Sequence, residues 1–324
     1  MIPSYIRMLA IGIATLFVAH AYALADDNLR FVIVSHGSAS DRFWSSVKEG
    51  AEVAAKEAGV SVVYRAPGSF DLDKMAELVE AAVKEAPDGL IVTIPNADAL
   101  APPIRAAIDA GIPVITINSG YDVSHALGAL LHVGQSEYEA GRVAGDAMRA
   151  LGAKKALCLN HELGNVALDL RCKGFIDGFA GSVEVMQIES DPKKSEMAIA
   201  DRLAEDEAID AILGLSASNA GEPAVAAVKA LEGGRKVKVG TFDVTEAMLN
   251  AVADGTASFA IDQQPFLQGY LPVEFLTLLK RNGVIPVSNV STGPRLVTAD
   301  EAKRRLGRSD GAGAEPVPAE PTGG

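Results

Sequence analysis

The sequence predicts two successive α/β halves, each built on a parallel β-sheet that helices cover on both faces. Apolar, β-branched runs such as residues 31–34 alternate with helix-periodic segments through most of residues 29–306. Gly59 and Gly111 stand where helix C-caps are expected. The alternation restarts after residue 151, so a second half of similar make-up follows the first. Such alternation is typical of βαβ units and parallel sheets.

The order of the predicted elements follows from the two hydrophobic periods. In the first half, the strands are predicted at 31–34, 60–64, 89–94 and 112–117, and the helices at 41–58, 71–85 and 97–110. A short apolar segment, 126–133, leads into the second half. There, the strands are predicted at 156–159, 183–188, 209–215, 237–242 and 258–262, and the helices at 137–151, 165–178, 195–205, 219–231, 245–253 and 266–280.

Bulk composition limits the classes of partner. The chain has 324 residues and a formal charge of −13, from 42 acidic and 29 basic residues. A nucleic-acid-binding protein would need a basic face, and an anionic membrane would repel a chain with this excess of acidic residues. The chain is long enough for two domains of ordinary size. We therefore expect a protein that binds neither nucleic acid nor a membrane.

Residues 1–25 have the pattern of a cleavable secretory signal peptide. Arg7 precedes an apolar run over residues 9–19, and Ala23-Leu24-Ala25 forms a cleavage site before Asp26. No later run approaches the roughly 18 residues that a transmembrane helix needs. The mature protein is therefore predicted to be soluble, not embedded in the membrane, and periplasmic.

The chain has two cysteines, Cys158 and Cys172. In an oxidising compartment, an even count favours a disulfide between them. Two free buried thiols are the main alternative. A metal site at these cysteines is a weaker alternative because their spacing matches no zinc pattern.

Polar residues follow the predicted strands in both halves, where an open parallel sheet binds its ligands. The first loop also brings two aromatic side chains, Phe43 and Trp44, beside its polar groups, and this combination suits a sugar. Each residue also has a structural interpretation as a cap, a turn or a core residue, and only their shared position at strand ends favours a ligand site. The candidate ligand-binding residues are His36, Ser38, Asp41, Phe43, Trp44, Asn118, Ser119, His161, Asn165, Arg171, Asn219, Asp243 and Gln263.

The sequence lacks the motifs of the common enzyme classes. It contains no phosphate-binding loop and no GxGxxG after a strand. Residues 214–218, GLSAS, lack the closing glycine of a nucleophile elbow, and His161-Glu162 lacks the second histidine of HExxH. We therefore predict no catalytic residues, no cofactor and no metal, and a protein that is not an enzyme.

Six segments, in this order, resemble the type I periplasmic sugar-binding proteins of ABC transporters, the group around ribose-binding protein. The resemblance covers nearly all of residues 29–306. Its segments are SASDRFWSSVKEGAEVAAKEAG, PDGLIVTIPNADALAPPIRAAIDAGIPVITINSG, HVGQSEYEAGRVAGD, LRCKGFIDGF, VGTFDVTEAM and IDQQPFLQG. It implies two Rossmann-like lobes with a ligand cleft between them and a hinge of three crossings, near 131–133, 262–264 and 291–293.

The resemblance also assigns roles to some of the candidate residues. The stacking aromatics of the family fall on Phe43 and Trp44, and a polar contact of the first loop falls on Asp41. The arginine of the second domain falls on Arg171, the carboxylate after the strand on Asp243 and the hinge glutamine on Gln263. An asparagine of the family matches Asn219 only with a one-residue gap.

One departure from the family concerns the fourth strand. Many sugar binders of this group carry an Asp-Arg pair there, whereas this chain has Asn118-Ser119. Because the contacts of that pair are missing, we do not expect the ligand to be a common pyranose or ribose. A polyol, a deoxy sugar and a modified pentose remain candidates. The polar loop 160–165 is a candidate for replacing the missing contacts.

The resemblance predicts the domain division and the function. Residues 26–132 with 264–292 are expected to form the N-terminal lobe, 133–263 with 293–307 the C-terminal lobe, and 308–324 a disordered tail. The expected function is capture of a monosaccharide, polyol or modified pentose by a monomer that delivers it to a membrane permease. The alternative is a sensing module whose closed form engages a chemoreceptor or sensor kinase.

Overall fold

The computed structural model describes residues 28–37, 41–231 and 234–309. The predicted signal peptide and Ser38 lie outside these residues, as does the predicted tail from residue 310 onward. The last helix continues to Ser309, so residues 308 and 309 are helical where we predicted disorder.

The first half of the chain alternates strands and helices as predicted. Its elements are β1 (Arg30–Val34), α1 (Arg42–Ala58), β2 (Ser61–Arg65), α2 (Leu72–Lys84), β3 (Gly89–Val92), α3 (Ala97–Asp109), β4 (Val114–Asn118), α4 (Ser124–Leu127) and β5 (Leu131–Gly134). Asp41 and Asp71 accept hydrogen bonds from backbone N–H groups at the starts of α1 and α2. Gly59 ends α1 in the left-handed conformation that a C-cap glycine favours.

The second half repeats the alternation. Its elements are α5 (Glu137–Ala150), β6 (Lys155–Asn160), α6 (Val166–Phe179), β7 (Ser182–Gln187), α7 (Pro192–Glu205), β8 (Ala211–Gly214), a π-helical turn (Ala217–Gly221), α8 (Glu222–Lys229), β9 (Lys238–Phe242), α9 (Glu246–Ala253) and β10 (Phe259–Asp262). The remaining elements are α10 (Pro265–Asn282), β11 (Val290–Ser291), β12 (Arg295–Val297) and α11 (Ala299–Ser309).

The strands form two separate six-stranded sheets, which confirms the predicted fold class. The first sheet has the order β11-β5-β4-β3-β1-β2, and the second has the order β12-β10-β9-β8-β6-β7. All pairings are parallel except that of β10 with β12. The chain passes from one sheet to the other after β5, after β10 and after β11. Because β5 ends at Gly134, the first sheet includes two residues beyond the predicted lobe boundary.

Each sheet is packed between helices, so its central strands are apolar on both faces. Phe31 to Val34 of β1 and Ala211 to Leu213 of β8 are fully buried. In both lobes, glycines allow two helices to approach closely. A Cβ at Gly269 of α10 would lie 1.8 Å from the carbonyl oxygen of Val47 in α1, and one at Gly174 of α6 would lie 1.9 Å from that of Tyr138 in α5.

Candidate ligand-binding site

A cavity of about 650 Å³ lies between the two lobes, at the carboxyl ends of strands from both sheets. This volume is in the range of small-molecule sites. Ten of the predicted ligand residues line it: His36, Asp41, Phe43, Trp44, Asn118, His161, Arg171, Asn219, Asp243 and Gln263. Ser119 and Asn165 do not line it, and Ser38 lies outside the described residues.

The loop after β1 presents the aromatic part of the cavity. Trp44 is buried in the core of the first lobe and lines the cavity as well, with its ring edge-on to Phe43 at 5.0 Å. A Cβ at Gly37 would lie 1.6 Å from the indole Nε1 of Trp44, so only glycine leaves room for the indole. Phe43 is half-buried, and it therefore has more of its surface available to a ligand than Trp44 has.

Asp41 lies next to this aromatic pair in the loop. Its Oδ1 accepts a hydrogen bond of 2.8 Å from the backbone N–H of Phe43. Burial raises the pKa of its carboxyl, while the N–H groups of Phe43 and Trp44 act in the opposite direction. Asp41 therefore serves as the helix cap and as a cavity-lining acceptor at once.

His36, also from the loop after β1, is buried and neutral. Its Nδ1 lies 2.9 Å from the hydroxyl of Thr93, and its ring is edge-on to Trp44. Burial lowers the pKa of His36 to about 3, and the nearby Arg171 and His161 act in the same direction. Because Thr93 occupies Nδ1, only Nε2 of this neutral imidazole faces further partners.

Asn118 and Ser119, at the end of β4, have different positions. Asn118 lines the cavity with a left-handed backbone (φ 59°), which is uncommon outside glycine. Its Nδ2 lies 3.5 Å from Oε1 of Gln263. Ser119 is buried away from the cavity, and its hydroxyl has no hydrogen-bond partner among the described residues. Of this pair, only Asn118 is therefore placed to contact a ligand.

The loop before α6 brings His161 and Glu162 into the cavity. Burial lowers the pKa of His161 to about 3, and Arg171 adds to this effect. Burial raises the pKa of Glu162 to about 7, although Asn165 and Arg171 act against the shift. Asn165 caps α6 through a 3.1 Å bond from Ala167 N–H, and its Nδ2 donates to Glu162 over 2.7 Å. Asn165 therefore positions Glu162, where we predicted a ligand contact.

Arg171, in α6, is the buried cation of the cavity. Its Nε donates to Glu137 over 2.6 Å, its Nη1 to the carbonyl of Leu215 over 3.1 Å and its Nη2 to Gln263 over 3.0 Å. The guanidinium also lies 4.5 Å from the centre of the Phe242 ring. Burial alone would lower the pKa of Arg171, but the carboxylates of Glu137, Asp243 and Glu162 together outweigh this effect and the pKa is raised. Because a guanidinium has five N–H groups, each Nη keeps one N–H for a ligand.

Asp243, directly after β9, is the second half-buried carboxyl in the C-terminal lobe's part of the cavity. Burial raises the pKa of Asp243 to about 7, against the opposing effect of Arg171. Its Oδ1 accepts from Nε2 of Gln263. Its backbone is left-handed (φ 69°), a strained conformation that in proteins clusters at functional sites. The cap of the next helix is Thr245, not Asp243.

Gln263 lies at the crossing after β10 and connects both lobes. Its Oε1 is near Asn118 of the first lobe and accepts from Arg171 of the second, and its Nε2 donates to Asp243. One N–H of its amide remains for a ligand. Asn219, in the π-helical turn, lines the cavity at the same end as Ser218.

Several further residues that line the cavity were not among the predicted ligand residues, including Phe70, Glu162, Ser218 and Glu222. Glu162 and Ser218 stood inside polar loops that the sequence did indicate. Phe70 precedes a helix and Glu222 begins one, and neither position differs from an ordinary helix start. Their placement depends on packing between distant parts of the chain.

The disulfide between Cys158 and Cys172 is present, with Cα atoms 5.9 Å apart. It joins β6 to α6 within the core of the second lobe. Because Cys172 directly follows Arg171, the bond fixes the turn of α6 that carries the buried cation.

The two lobes also contact each other outside the three crossings. The N–H of Val166 donates to the carbonyl of Pro95 over 2.9 Å. Nδ2 of Asn165 lies 3.4 Å from Nε2 of His36. The two lobes therefore already touch across the cleft at the start of α6.

Two α/β lobes, three crossings and a polar cleft between the lobes define a class of binding protein. The periplasmic binding protein domain family matches residues 31–282, and the chain belongs to this family. The resemblance to type I periplasmic sugar-binding proteins that we inferred from the sequence is thereby confirmed.

Individual relatives agree with this assignment. A carbohydrate transporter from Acidothermus cellulolyticus 11B, solved in complex with myo-inositol, is 33% identical with a TM-score of 0.82, covering 87% of this chain and 98% of that chain. An ABC sugar transporter (periplasmic sugar-binding protein) from Legionella pneumophila is 26% identical with a TM-score of 0.76, covering 82% and 99%. The xylose/arabinose-binding protein XylF of Sulfolobus acidocaldarius is 26% identical over 254 residues, which are 70% of this chain and 61% of that protein.

Within the described ranges, no helix combines the length and the apolar character needed to cross a membrane. The same residues contain no group of three or more His, Cys, Asp or Glu side chains arranged to hold a metal ion.

Proposed function

We propose that this protein, in the periplasm, captures a neutral, polyhydroxylated ligand in the interlobe cavity. The ligand is a sugar or a cyclitol, and the protein delivers it to the membrane permease of an ABC import system. One observation carries the proposal. Aromatic faces from the first lobe stand opposite buried hydrogen-bonding groups from the second, in one cavity of about 650 Å³. Sugars present C–H faces and hydroxyl edges, which these two walls match.

The ligand class follows from the polar groups. Carboxyls at Asp41, Glu162 and Asp243 accept hydrogen bonds, the imidazoles are neutral, and Arg171 has two N–H groups to spare. Many hydroxyls can satisfy this set without bringing a net charge. The relative solved with myo-inositol supports including cyclitols beside monosaccharides.

Closure of the lobes around the ligand links binding to delivery. Groups from both lobes reach one cavity, so a ligand favours the closed arrangement by its differential affinity. A permease can then recognise the closed form. We propose that the ligand is released unchanged.

A thermal-shift screen of the mature protein tests the proposal. The panel contains neutral monosaccharides, polyols and cyclitols, including myo-inositol, xylose and arabinose. A ligand at 100 times its dissociation constant stabilises the folded protein by about 2.7 kcal/mol, a shift of several degrees. A clear shift supports the binding class, and a flat panel over millimolar concentrations contradicts it.

Delivery to a permease needs a second experiment. The protein with its ligand should stimulate the ATPase activity of the reconstituted transporter encoded with it, whereas the protein without ligand should do so less. Equal stimulation with and without ligand would contradict a role in delivery.

A further inference from the structure

Glu137 does not line the cavity, yet it is the closest partner of the cation that does. It is the first residue of α5, and its side chain is 3% exposed. Its Oε2 accepts from Nε of Arg171 over 2.6 Å and from Nε2 of Gln135 over 3.0 Å. The positive N-terminal end of α5 favours a negative charge at this position.

This ion pair determines the charge that a ligand meets. Arg171 and Glu137 carry opposite charges, which cancel. In this buried environment, either charge alone would exert a strong electrostatic effect on a ligand. The carboxyls of Asp41, Glu162 and Asp243 then face the cavity without an unpaired buried cation. Two other cations line the cavity, Arg42 and Lys193, but both are exposed, with 89% of the Lys193 side chain accessible. Solvent and salt screen them.

We propose that Glu137 is a specificity-determining residue: by neutralising Arg171 from outside the cavity, it makes the site select neutral polyols and reject sugar acids. The inference rests on the proposed function. Glu137 acts as a positioning residue, because it holds the guanidinium so that the Nη groups face the ligand while their charge is compensated.

The test compares matched ligands by isothermal titration calorimetry on the full mature protein. The pairs are D-glucose with D-glucuronate, D-galactose with D-galacturonate, and D-xylose with D-xylonate, and myo-inositol is added as a neutral probe. The wild type is expected to bind the neutral member of a pair more than tenfold more tightly than the acidic member, since unpaired like charges build rejection into a site. Tighter binding of the acidic members by the wild type would overturn the inference without any variant.

Glu137→Gln keeps an acceptor for Arg171 and removes the negative charge. We expect the preference for the neutral member to fall by about tenfold, because Arg171 then lacks its closest negative partner and attracts a ligand carboxylate more strongly. Glu137→Asp keeps the charge and should keep the preference. Glu139→Gln, on the exposed face of the same helix, is the matched surface control.

A double variant distinguishes charge from structural damage. Glu137→Gln with Arg171→Gln removes both charges and should restore the preference for neutral ligands at lower affinity. A merely structural role of Glu137 predicts that all ligands weaken together, with an unchanged ratio in each variant, and that result would overturn the inference. If Glu137→Gln fails to fold, Glu137→Asp and the double variant still give the ratios.

The two proposals fail in different ways. If no neutral sugar or cyclitol binds the wild type, the proposed function is wrong, and the inference falls with it. If neutral ligands bind but Glu137→Gln leaves the ratio unchanged, only the role of Glu137 is wrong.

Discussion

The two lobes share one architecture but contribute different chemistry to the cavity. The first lobe supplies the rings of Phe43, Trp44 and Phe70 together with the carboxyl of Asp41. The second supplies Arg171, Glu162 and Asp243, which are charged or readily charged. Apolar stacking surface tolerates many sugars, whereas buried charged groups require specific partners. We therefore expect both lobes to contribute to ligand affinity and mainly the second lobe to discriminate between ligands.

The largest expected effect is that of Arg171→Ala. This change leaves Glu137 buried without its partner, and breaking a buried ion pair in this way typically costs about 3–5 kcal/mol of stability. Affinity for the ligand should also fall by tenfold or more, about 1.4 kcal/mol. Denaturant unfolding and calorimetry measure the two losses, with Lys173→Ala on the exposed side of α6 as the control. Equal stability of Arg171→Ala and Lys173→Ala would contradict the assigned ion pair.

The disulfide is expected to give the next largest effect. Replacing Cys158 and Cys172 by alanine opens a loop with a sequence separation of 14 residues, and the chain-entropy model gives a loss of about 3 kcal/mol. Unfolding of the variant, against the oxidised wild type, measures it. Since the bond holds α6, ligand affinity should fall in the folded variant too. An unchanged midpoint would show that α6 is held without it.

Phe43→Ala tests the aromatic part of the first lobe. The ring is half-buried, so its loss should weaken binding by about tenfold, or roughly 1.4 kcal/mol, through lost stacking. Trp44→Ala would mix this loss with damage to the core, because Trp44 is buried. Phe43→Leu, which keeps apolar volume without an aromatic face, is the matched control. Equal affinities of the alanine and leucine variants would argue against stacking at this position.

Asp243→Asn should change how stability depends on pH. The pKa of Asp243 is raised to about 7 in the folded protein, so between the unfolded value near 4 and pH 7 the folded state binds more protons than the unfolded state. Asp243 therefore contributes stability at low pH that is lost as the pH rises toward 7. Relative to wild type, Asp243→Asn should gain stability over this window, by at most about 1.4 kcal/mol per pH unit.

Unfolding curves of both proteins at pH 5, 6 and 7 measure this difference directly. His36, His132 and His161 have lowered pKa values of about 3, which gives both proteins the opposite slope. The difference between the two proteins removes that shared contribution. A difference that does not vary with pH would contradict the raised pKa of Asp243.

Much of the fold was predictable because it is encoded locally. Apolar runs and caps such as Asp41 and Gly59 fixed the positions of most elements, and their alternation indicated two parallel sheets. The short helix α4, the short strands β11 and β12 and helix α11 were not predicted, and β5 was predicted only as an apolar segment. A strand of two or three residues is too short to show a hydrophobic period. β11 and β12 are defined by their pairing with β5 and β10.

The site was predictable to the extent that it lies at strand ends. Asp243 directly follows β9 and Asn118 is the last residue of β4, at the strand ends where parallel sheets bind ligands. Glu137 was not predictable, because a glutamate in a first helical turn ordinarily faces solvent, and its partner Arg171 is 34 residues away. Ser119 and Asn165 were placed at the site by position alone, but the directions of their side chains depend on tertiary packing.

Hydrogen–deuterium exchange with and without the ligand found in the thermal-shift screen tests the central claim most directly. We predict that one ligand slows exchange in two segments together, the first-lobe segment around residues 36–44 and the second-lobe segment around residues 161–171. Protection of only one of these segments at saturating ligand would contradict a site shared by both lobes.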